Sequence, residues 1–392
     1  MSLRDRMTAR LPSMVADIER LVRCESPSSD PVALAASTEA VAALGTRLLG
    51  AEPERLTVDN RVHLRWRLGA GPSRVLLLGH HDTVWPVGTL TSLPYGVRGG
   101  ILRGPGCVDM KAGLVLAFHA LAELSDMVRS TDDLSDIGRA VGDTIDLGGV
   151  TLLITCDEEI GSPTSRDLIE KEAAGCAAAL VLEAAAAGGA LKTGRKGVSR
   201  YRVLVHGRAA HAGLEPELGI NATVELAHQI LALAALAGPA RGTTVTPTLL
   251  GAGTSQNTVP ALGEVAVDVR VRDATEQRRV DAAVHALRPV LPGARLEIQG
   301  GPNRPPMGPD ATAALFERAT GVAARLGLPA PTAAAVGGGS DGNFTAGIGV
   351  PTLDGLGAVG GGAHADDEHV IVGELPARAV LIAGLISDLL SR

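Results

Sequence analysis

Aromatic side chains are scarce in this 392-residue chain: two Trp, two Tyr and three Phe make up 2% of it. Its cores must therefore be built from Ala, Val and Leu. Cysteine is scarce as well. Cys24, Cys107, Cys156 and Cys176 form no C-x-x-C pair, which argues against a structural zinc site or a thiol redox motif. Cys107 and Cys156 sit beside the motifs discussed below, and packing is the default reading for both. No run of about 20 apolar residues is present, which argues against a membrane span. The longest candidate, around residues 230–237, is half that length. Residues 1–20 mix Arg, Asp and Glu with apolar side chains and lack the apolar core of a signal peptide. With the few cysteines, this points to a reducing cytoplasm. An excess of positive charge is also missing. Net charge is −7 and the pI about 5.8, which argues against a nucleic-acid partner, since that would select a basic face.

What is present is length and pattern. A chain of 392 residues exceeds one ordinary core, so two domains are expected. Leu11, Met14, Val15, Ile18, Leu21 and Val22 recur at helical spacing and predict an amphipathic opening helix. Val62, Leu64, Trp66 and Leu68 alternate with His63, Arg65 and Arg67, the pattern of a half-exposed strand. Residues 76–78, 150–155 and 179–182 read as buried strands. Residues 110–128 read as a helix, and the polar stretch 125–149 as its end plus a surface excursion. Strands alternating with helices, with polar residues at the strand ends, indicate an α/β sheet. Such folds place their sites at those ends.

Composition changes near Gly194. A long alternating strand around Ser199, Tyr201, Val203 and Val205 is followed by a helix over 220–236 and strands at 243–250 and 264–271. A helix over 275–291 and a strand at 295–299 complete the order β-α-β-β-α-β, the split ferredoxin-like unit. Pro302, Pro305 and Pro306 mark an exit linker. The α/β pattern then resumes with a helix over 312–326, a glycine-rich segment at 337–344, a short strand at 351–353 and a final helix over 375–390. The expected organisation is an α/β domain of residues 1–193 and 304–392 interrupted by a small α+β domain of residues 194–303.

The chain is organised around Leu76-Leu77-Leu78-Gly79-His80-His81-Asp82-Thr83-Val84. Side chains alternate along an extended chain, so His80 and Asp82 project the same way from the strand's end. A carboxylate beside an imidazole orients a metal-binding histidine and makes it more basic. By itself the stretch reads equally well as a solvated turn. The other polar residues at strand ends or in glycine-rich loops are Asp109, Glu158, Glu159, Glu183 and His364. Two imidazoles and several carboxylates suit zinc and related divalent ions. Two such ions sharing a carboxylate need about five protein ligands, and one further carboxylate to act as base. Glu158 and Glu159, diverging at adjacent positions, can supply one of each; alone, the pair reads as a solvated acidic turn.

These motifs resemble the di-zinc aminoacyl hydrolases that include glutamate carboxypeptidase, acetylornithine deacetylase, succinyl-diaminopimelate desuccinylase and aminoacylase. The matching residues are His80-His81-Asp82-Thr83-Val84, Gly104-Pro105-Gly106-Cys107-Val108-Asp109-Met110-Lys111-Ala112-Gly113, Asp157-Glu158-Glu159-Ile160-Gly161-Ser162, Glu183, Ala210-His211-Ala212-Gly213 and His364. They span essentially the whole chain in order, and the glutamate carboxypeptidase branch is nearest in character. The resemblance implies a three-layer α/β/α catalytic domain of phosphorylase/hydrolase-like type, with an inserted ferredoxin-like lid and dimerisation domain. It implies that Asp109 bridges two ions, that His80 and Glu183 complete one site, and that Glu159 and His364 complete the other. Glu158 becomes the general base, Asp82 orients His80, and the Asp109-Met110 peptide is cis. On the small domain it implies substrate binding by His211, Asn257 and Arg270, with His211 acting across a dimer interface. Arg270 has its own argument, since Val265, Val267, Val269 and Val271 take one strand face and leave its planar fork on the other. A solvated strand residue is the plainer reading of that position. The run 337–342 lacks the Gly-Lys-Ser/Thr ending of a nucleotide loop, and the resemblance implies instead a substrate-contacting loop that includes Gly339.

The expectation is a metal-dependent hydrolase with two divalent ions per subunit, zinc first, cobalt or manganese as alternatives. It cleaves a peptide or N-acyl amide next to a free carboxylate in a small substrate. An N-acyl amino acid deacylase is the alternative, and a non-catalytic binding protein on the same fold the distant one. A cytoplasmic homodimer associating through the small domain, with no nucleic acid or membrane partner, is expected. Lys192, Arg195 and Lys196 align with no glutamate-binding position, which leaves the side-chain preference open.

Overall fold

The computed structural model describes residues 1–129 and 147–391, so most of the surface excursion expected over 125–149 lies outside the described residues. The chain divides into two compact units. One comprises Met1–Gly194, Pro309–Val336 and Ser340–Arg392; the other comprises Arg195–Gly308 and Gly337–Gly339.

The first unit is built on a six-stranded sheet in the order Glu54–Val58, Arg61–Leu68, Val150–Thr155, Val75–His80, Ala178–Val181 and Thr352–Leu353. The last four strands run parallel; the first two are antiparallel. All six residues of Val75–His80 are buried, as a continuous apolar run requires of a parallel strand covered on both faces. Its side chains alternate between two cores. Val75 and Leu77 enter the larger one, with residues of the helices Leu11–Arg23, Pro31–Leu49, Ala112–Arg129 and Leu375–Leu390. Leu76 and Leu78 enter a smaller one with Ile169, Ala173 and Phe344. Helices on both faces make this the expected three-layer α/β/α arrangement.

Three local readings change. The opening helix Leu11–Arg23 is preceded by a short helix, Leu3–Ala9, started by a Ser2–Asp5 capping box. His63, expected on a half-exposed face, is fully buried, with Nε2 3.1 Å from the Thr164 hydroxyl. The 19-residue helix Pro31–Leu49 is apolar enough by composition to cross a membrane, although no unbroken apolar run marks it. Its Leu34, Val41, Ala42, Leu44 and Leu49 are buried, as in a core helix, and Asp30 caps it through the amides of Val32 and Ala33.

The second unit is a four-stranded antiparallel sheet in the order Thr244–Ala252, Leu262–Val271, Gly197–His206 and Arg295–Arg304. The helices Ala222–Ala234 and Ala274–His285 contribute Leu226, Leu233, Val280 and Val284 to its core. Val203, Val205, Val265, Val267, Val269 and Val271 fill it from the sheet. The last strand runs to Arg304 and passes through Pro302, where a linker was expected; a register shift between Pro302 and Arg304 accommodates the proline. The second helix stops at His285, short of the expected 291, ahead of Pro289. Gly337–Gly339 belongs to this unit, where Arg195 donates to the carbonyls of Gly338 and Gly339 at 3.1 and 3.2 Å.

Candidate active site

Parallel strands deliver their carboxyl ends to one edge of the sheet of the first unit. His80 ends Val75–His80, Glu158 and Glu159 follow Val150–Thr155, and Glu183 follows Ala178–Val181. Asp109 comes from the tight turn Cys107–Lys111 that leads into Ala112–Arg129, and the Asp109-Met110 peptide is cis. His364 comes from the loop before His369–Ile371, with a left-handed φ of 63°.

These side chains converge. His80 Nε2 lies 3.3 Å from Asp109 Oδ1 and 3.4 Å from Glu183 Oε1. His364 Nε2 lies 3.4 Å from Asp109 Oδ2 and 3.2 Å from Glu159 Oε2. Asp109 thus turns one oxygen to each imidazole. Ligand atoms of His80, Glu158 and Glu183 fall within 4.8 Å of one another, and so do those of His80, Asp109 and Glu159.

The chemistry of this cluster fits cations. His80 Nε2 and Asp109 Oδ1 are buried and face each other, yet among the described residues neither finds a hydrogen-bond partner. Burying such atoms unpaired is costly, and a cation between them would satisfy both. Burial works against a charged His80, but Asp109, Asp82 and Glu183 outweigh it and hold its pKa well above the usual value. Burial works to raise Asp109, but the nearby His364 and His80 imidazoles reverse this to a marked depression. Burial raises Glu159 above the ordinary carboxylate range despite the bond to His364. His364, bonded to Asp109 and Glu159, is pushed up to about 10. A site that draws positive charge to imidazoles this strongly is an anionic cage, and nitrogen and oxygen donors of this kind suit zinc or a related divalent ion.

Asp82 ties the cage from behind. Its carboxylate accepts from Ser28 Oγ at 2.6 Å and from the amides of Glu158 and Glu159, both at 3.2 Å. His80 Nδ1 is 3.3 Å from Asp82 Oδ1, but 3.0 Å from the Asp82 main-chain carbonyl. Asp82 therefore positions the histidine and both glutamates together. The turn carrying those glutamates is pinned further by Asp157, which accepts from the amides and hydroxyls of Thr164 and Ser165.

Two residues at the site were not singled out by sequence reasoning. The Lys192 ammonium lies 3.8 Å from Glu183 Oε2, which picks it out from the three basic residues left open. Glu368 is fully buried behind Asp109. The acidic run Asp366-Asp367-Glu368, close after His364, was the available signal. The neighbouring histidines have other partners. His81 is buried against Ser37 and Thr38, with its pKa lowered to about 3 by burial, and His119 is buried against Asp17.

The remaining expected residues lie on the second unit. His211 is exposed on the short strand Ala210–His211, and its Nδ1 accepts from the amides of Gly213 and Leu214, both at 3.1 Å. That fixes the tautomer with the proton on Nε2. The Asn257 main-chain carbonyl accepts from the Ala212 amide at 2.9 Å. Arg270 does project from the strand face opposite the valines, but its fork is held bidentately by Asp268 at 2.7 and 2.9 Å. The Gly339 carbonyl faces Arg195.

A cage of two imidazoles and four carboxylates, gathered at the carboxyl edge of a parallel sheet on a chain that also carries a ferredoxin-like unit, defines a metal-dependent hydrolase. Residues 76–135 match the model of peptidase family M20/M25/M40, and residues 193–291 match that of the peptidase dimerisation domain. The chain is 31% identical over 402 residues to carboxypeptidase G2 of Pseudomonas sp. (strain RS-16), covering 97% of this chain and 90% of that protein. It is 29% identical to succinyl-diaminopimelate desuccinylase of Methylobacterium sp. (strain 4-46), covering 96% of each. Among solved structures, an M20 family metallo-carboxypeptidase of Sulfolobus solfataricus superposes with a TM-score of 0.71 at 17% identity, covering 97% of this chain and 99% of that one. The chain belongs to the M20 peptidase family.

Proposed function

We propose that this protein is a carboxypeptidase-like hydrolase with two divalent ions, zinc first, that cleaves an amide bond next to a free carboxylate. One observation carries the reading: Asp109 lies between two imidazoles and turns a different carboxylate oxygen to each. His80, Glu183 and Asp109 would hold one ion, and Asp109, Glu159 and His364 the other. Such a pair lowers the pKa of a water between them and polarises the scissile carbonyl. Glu158, buried beside the cluster, takes the proton of the attacking water and delivers it to the leaving nitrogen. Asp82 keeps the Glu158 and Glu159 amides and the His80 ring in fixed relation while this happens.

His211, with its proton on Nε2, donates to the oxyanion of the tetrahedral intermediate. Arg270, Asn257 and Gly339 bind the substrate's carboxylate end, and Arg270 exchanges Asp268 for that carboxylate. The enzyme works as a cytoplasmic homodimer joined through the second unit. In support of association through the second unit, the edge strand Thr244–Ala252 exposes Leu249 and Leu250, and the helix Ala222–Ala234 exposes Val224 and Leu231.

A second reading, N-acyl amino acid deacylase, is favoured by the full-length likeness to a desuccinylase. A panel of acyl-glutamates, dipeptides, N-acetyl amino acids and N-succinyl amino acids, assayed with added zinc and with chelator, separates the two. Hydrolysis of acyl-glutamates or dipeptides that requires metal supports the first. Turnover confined to N-acetyl or N-succinyl substrates supports the second. No metal-dependent hydrolysis of any of them overturns both.

A further inference from the structure

Glu368 is a fully buried carboxylate that accepts four N–H groups. Oε2 accepts from the Gly106 amide at 2.9 Å and the Trp85 indole at 2.8 Å. Oε1 accepts from the amides of Val108 at 2.9 Å and Asp109 at 3.2 Å. These donors come from two other loops. Gly106, Val108 and Asp109 form the turn that presents the cluster's central carboxylate. Trp85 lies on the loop that leaves His80 and Asp82. Glu368 itself is joined to His364 by a short turn in which the Glu368 amide donates to the Ala365 carbonyl and the Ala365 amide donates to the Gly362 carbonyl. The next residue, His369, begins a strand paired with Ile101–Arg103, on the approach to the same turn.

We propose that Glu368 is the positioning residue that sets the separation of the two cation sites, by holding the Asp109 turn, the loop after Asp82 and the His364 loop on one carboxylate. This rests on the two-ion reading above. The physical reason is a matching of donors to acceptors. Three consecutive-turn amides and an indole point inward, away from water, and an ionised carboxylate has lone pairs for all four. No neutral side chain of the same shape can replace it. In E368Q, either orientation of the amide sets its NH2 against two of the four donors, and the turn must move to relieve them. Movement of that turn displaces Asp109 relative to both imidazoles. The effect therefore appears in metal affinity and ligand geometry, whereas a packing residue would affect only stability.

The test compares wild type, E368Q and E225Q, prepared without metal and titrated with zinc against a competing chelator, then with cobalt. Glu225 is the control: it is a buried carboxylate that accepts from the amides of Val290 and Leu291 on the second unit. The expected result is an affinity of E368Q for at least one ion about 10–100-fold weaker than wild type, the range found when the groups behind metal ligands are removed. Its cobalt absorption spectrum changes, and turnover is partly regained at high metal concentration. E225Q melts at a lower temperature but binds zinc as wild type does. Amide exchange in metal-free wild type gives a second measurement that needs no variant: Gly106, Val108 and Asp109 exchange as slowly as the core of the helix Ala112–Arg129. An E368Q that binds two ions as tightly as wild type with an unchanged cobalt spectrum overturns the role of Glu368, as does fast exchange at those three amides. Wild type that takes up no ions overturns the metallohydrolase reading itself.

Discussion

Glu158 is the residue whose role the geometry tests most sharply. Its carboxylate lies among ligand atoms of His80 and Glu183, within 4.8 Å, so it is placed either to hold an ion or to handle a proton. The substitution E158Q keeps the shape and the Asp82-anchored main chain while removing the proton acceptor. If Glu158 is the base, kcat falls by about 10²–10⁴, the usual contribution of a positioned general base. At about 1.36 kcal/mol per decade, that corresponds to about 2.7–5.4 kcal/mol of lost transition-state stabilisation. KM and metal content stay at the wild-type level, because His80, Asp109, Glu159, Glu183 and His364 remain. Steady-state kinetics on the substrate found in the panel, with metal content measured on the same sample, reads both quantities. An E158Q enzyme with wild-type kcat refutes the base. One that loses an ion stoichiometrically shows Glu158 to be a ligand, and the division of labour between Glu158 and Glu159 is then reversed.

Removing metal with a chelator abolishes turnover, and adding zinc restores it. At a free zinc concentration 100 times its Kd, the folded protein gains about 2.7 kcal/mol, visible as a higher melting temperature. Arg270→Ala raises KM for the carboxylate-bearing substrate far more than it lowers kcat, and an unchanged KM removes Arg270 from the binding site. Gly113→Ala builds a Cβ about 2.0 Å from the Leu182 carbonyl oxygen, next to Glu183. Main chain cannot rotate away, so the cost lies near the upper end of about 1–3 kcal/mol and shows as a lower urea midpoint. Stability also depends on acid through Asp17. Burial raises this carboxyl, but bonds from His119 at 3.0 Å and Arg47 at 2.5 Å outweigh it and hold its pKa below the usual value. Its contribution is therefore complete above the unfolded-state pKa and is lost as pH falls through the folded one. D17N costs about 1.5–3 kcal/mol at neutral pH and flattens that part of the acid melt.

The parts of this molecule legible in sequence were those with a short-range signature. Apolar runs that stop at a histidine or an acidic residue marked the strand ends, and the β-α-β-β-α-β order marked the inserted unit. The structure brings together His80, Asp109, Glu158, Glu159, Glu183 and His364, as the motifs suggested. What escaped was the layer of carboxylates that accept main-chain amides. The Glu368 bonds to Gly106, Val108 and Asp109 span about 260 residues of sequence, and a hydrogen bond to an amide leaves no residue type to look for at the other end. Asp82 was read as a partner for one ring, and its hold on two amides of the next strand's loop had no sequence mark. The pairing of Arg270 with Asp268 does carry a sequence mark, opposite charges two positions apart on one strand face, but the same spacing fits a fork left open for a ligand. Pro302 was misread because a proline beside an edge strand's bulge looks like a linker when the register is unknown.

The discontinuity of the first unit has a consequence for synthesis. Its sheet is completed by Thr352–Leu353 and its larger core by the helix Leu375–Leu390, both encoded after the ferredoxin-like insert. At a ribosomal pace of about 5–20 residues per second, the interval between Glu183 and His364 lasts about 10–40 s. Through that time the nascent chain carries His80, Asp109 and Glu183 on an unfinished scaffold while the insert can already close on its own apolar centre. Amide hydrolysis is thereby withheld from any fragment that stops early, and the growing polypeptide needs shelter for the apolar surfaces that await the final helix.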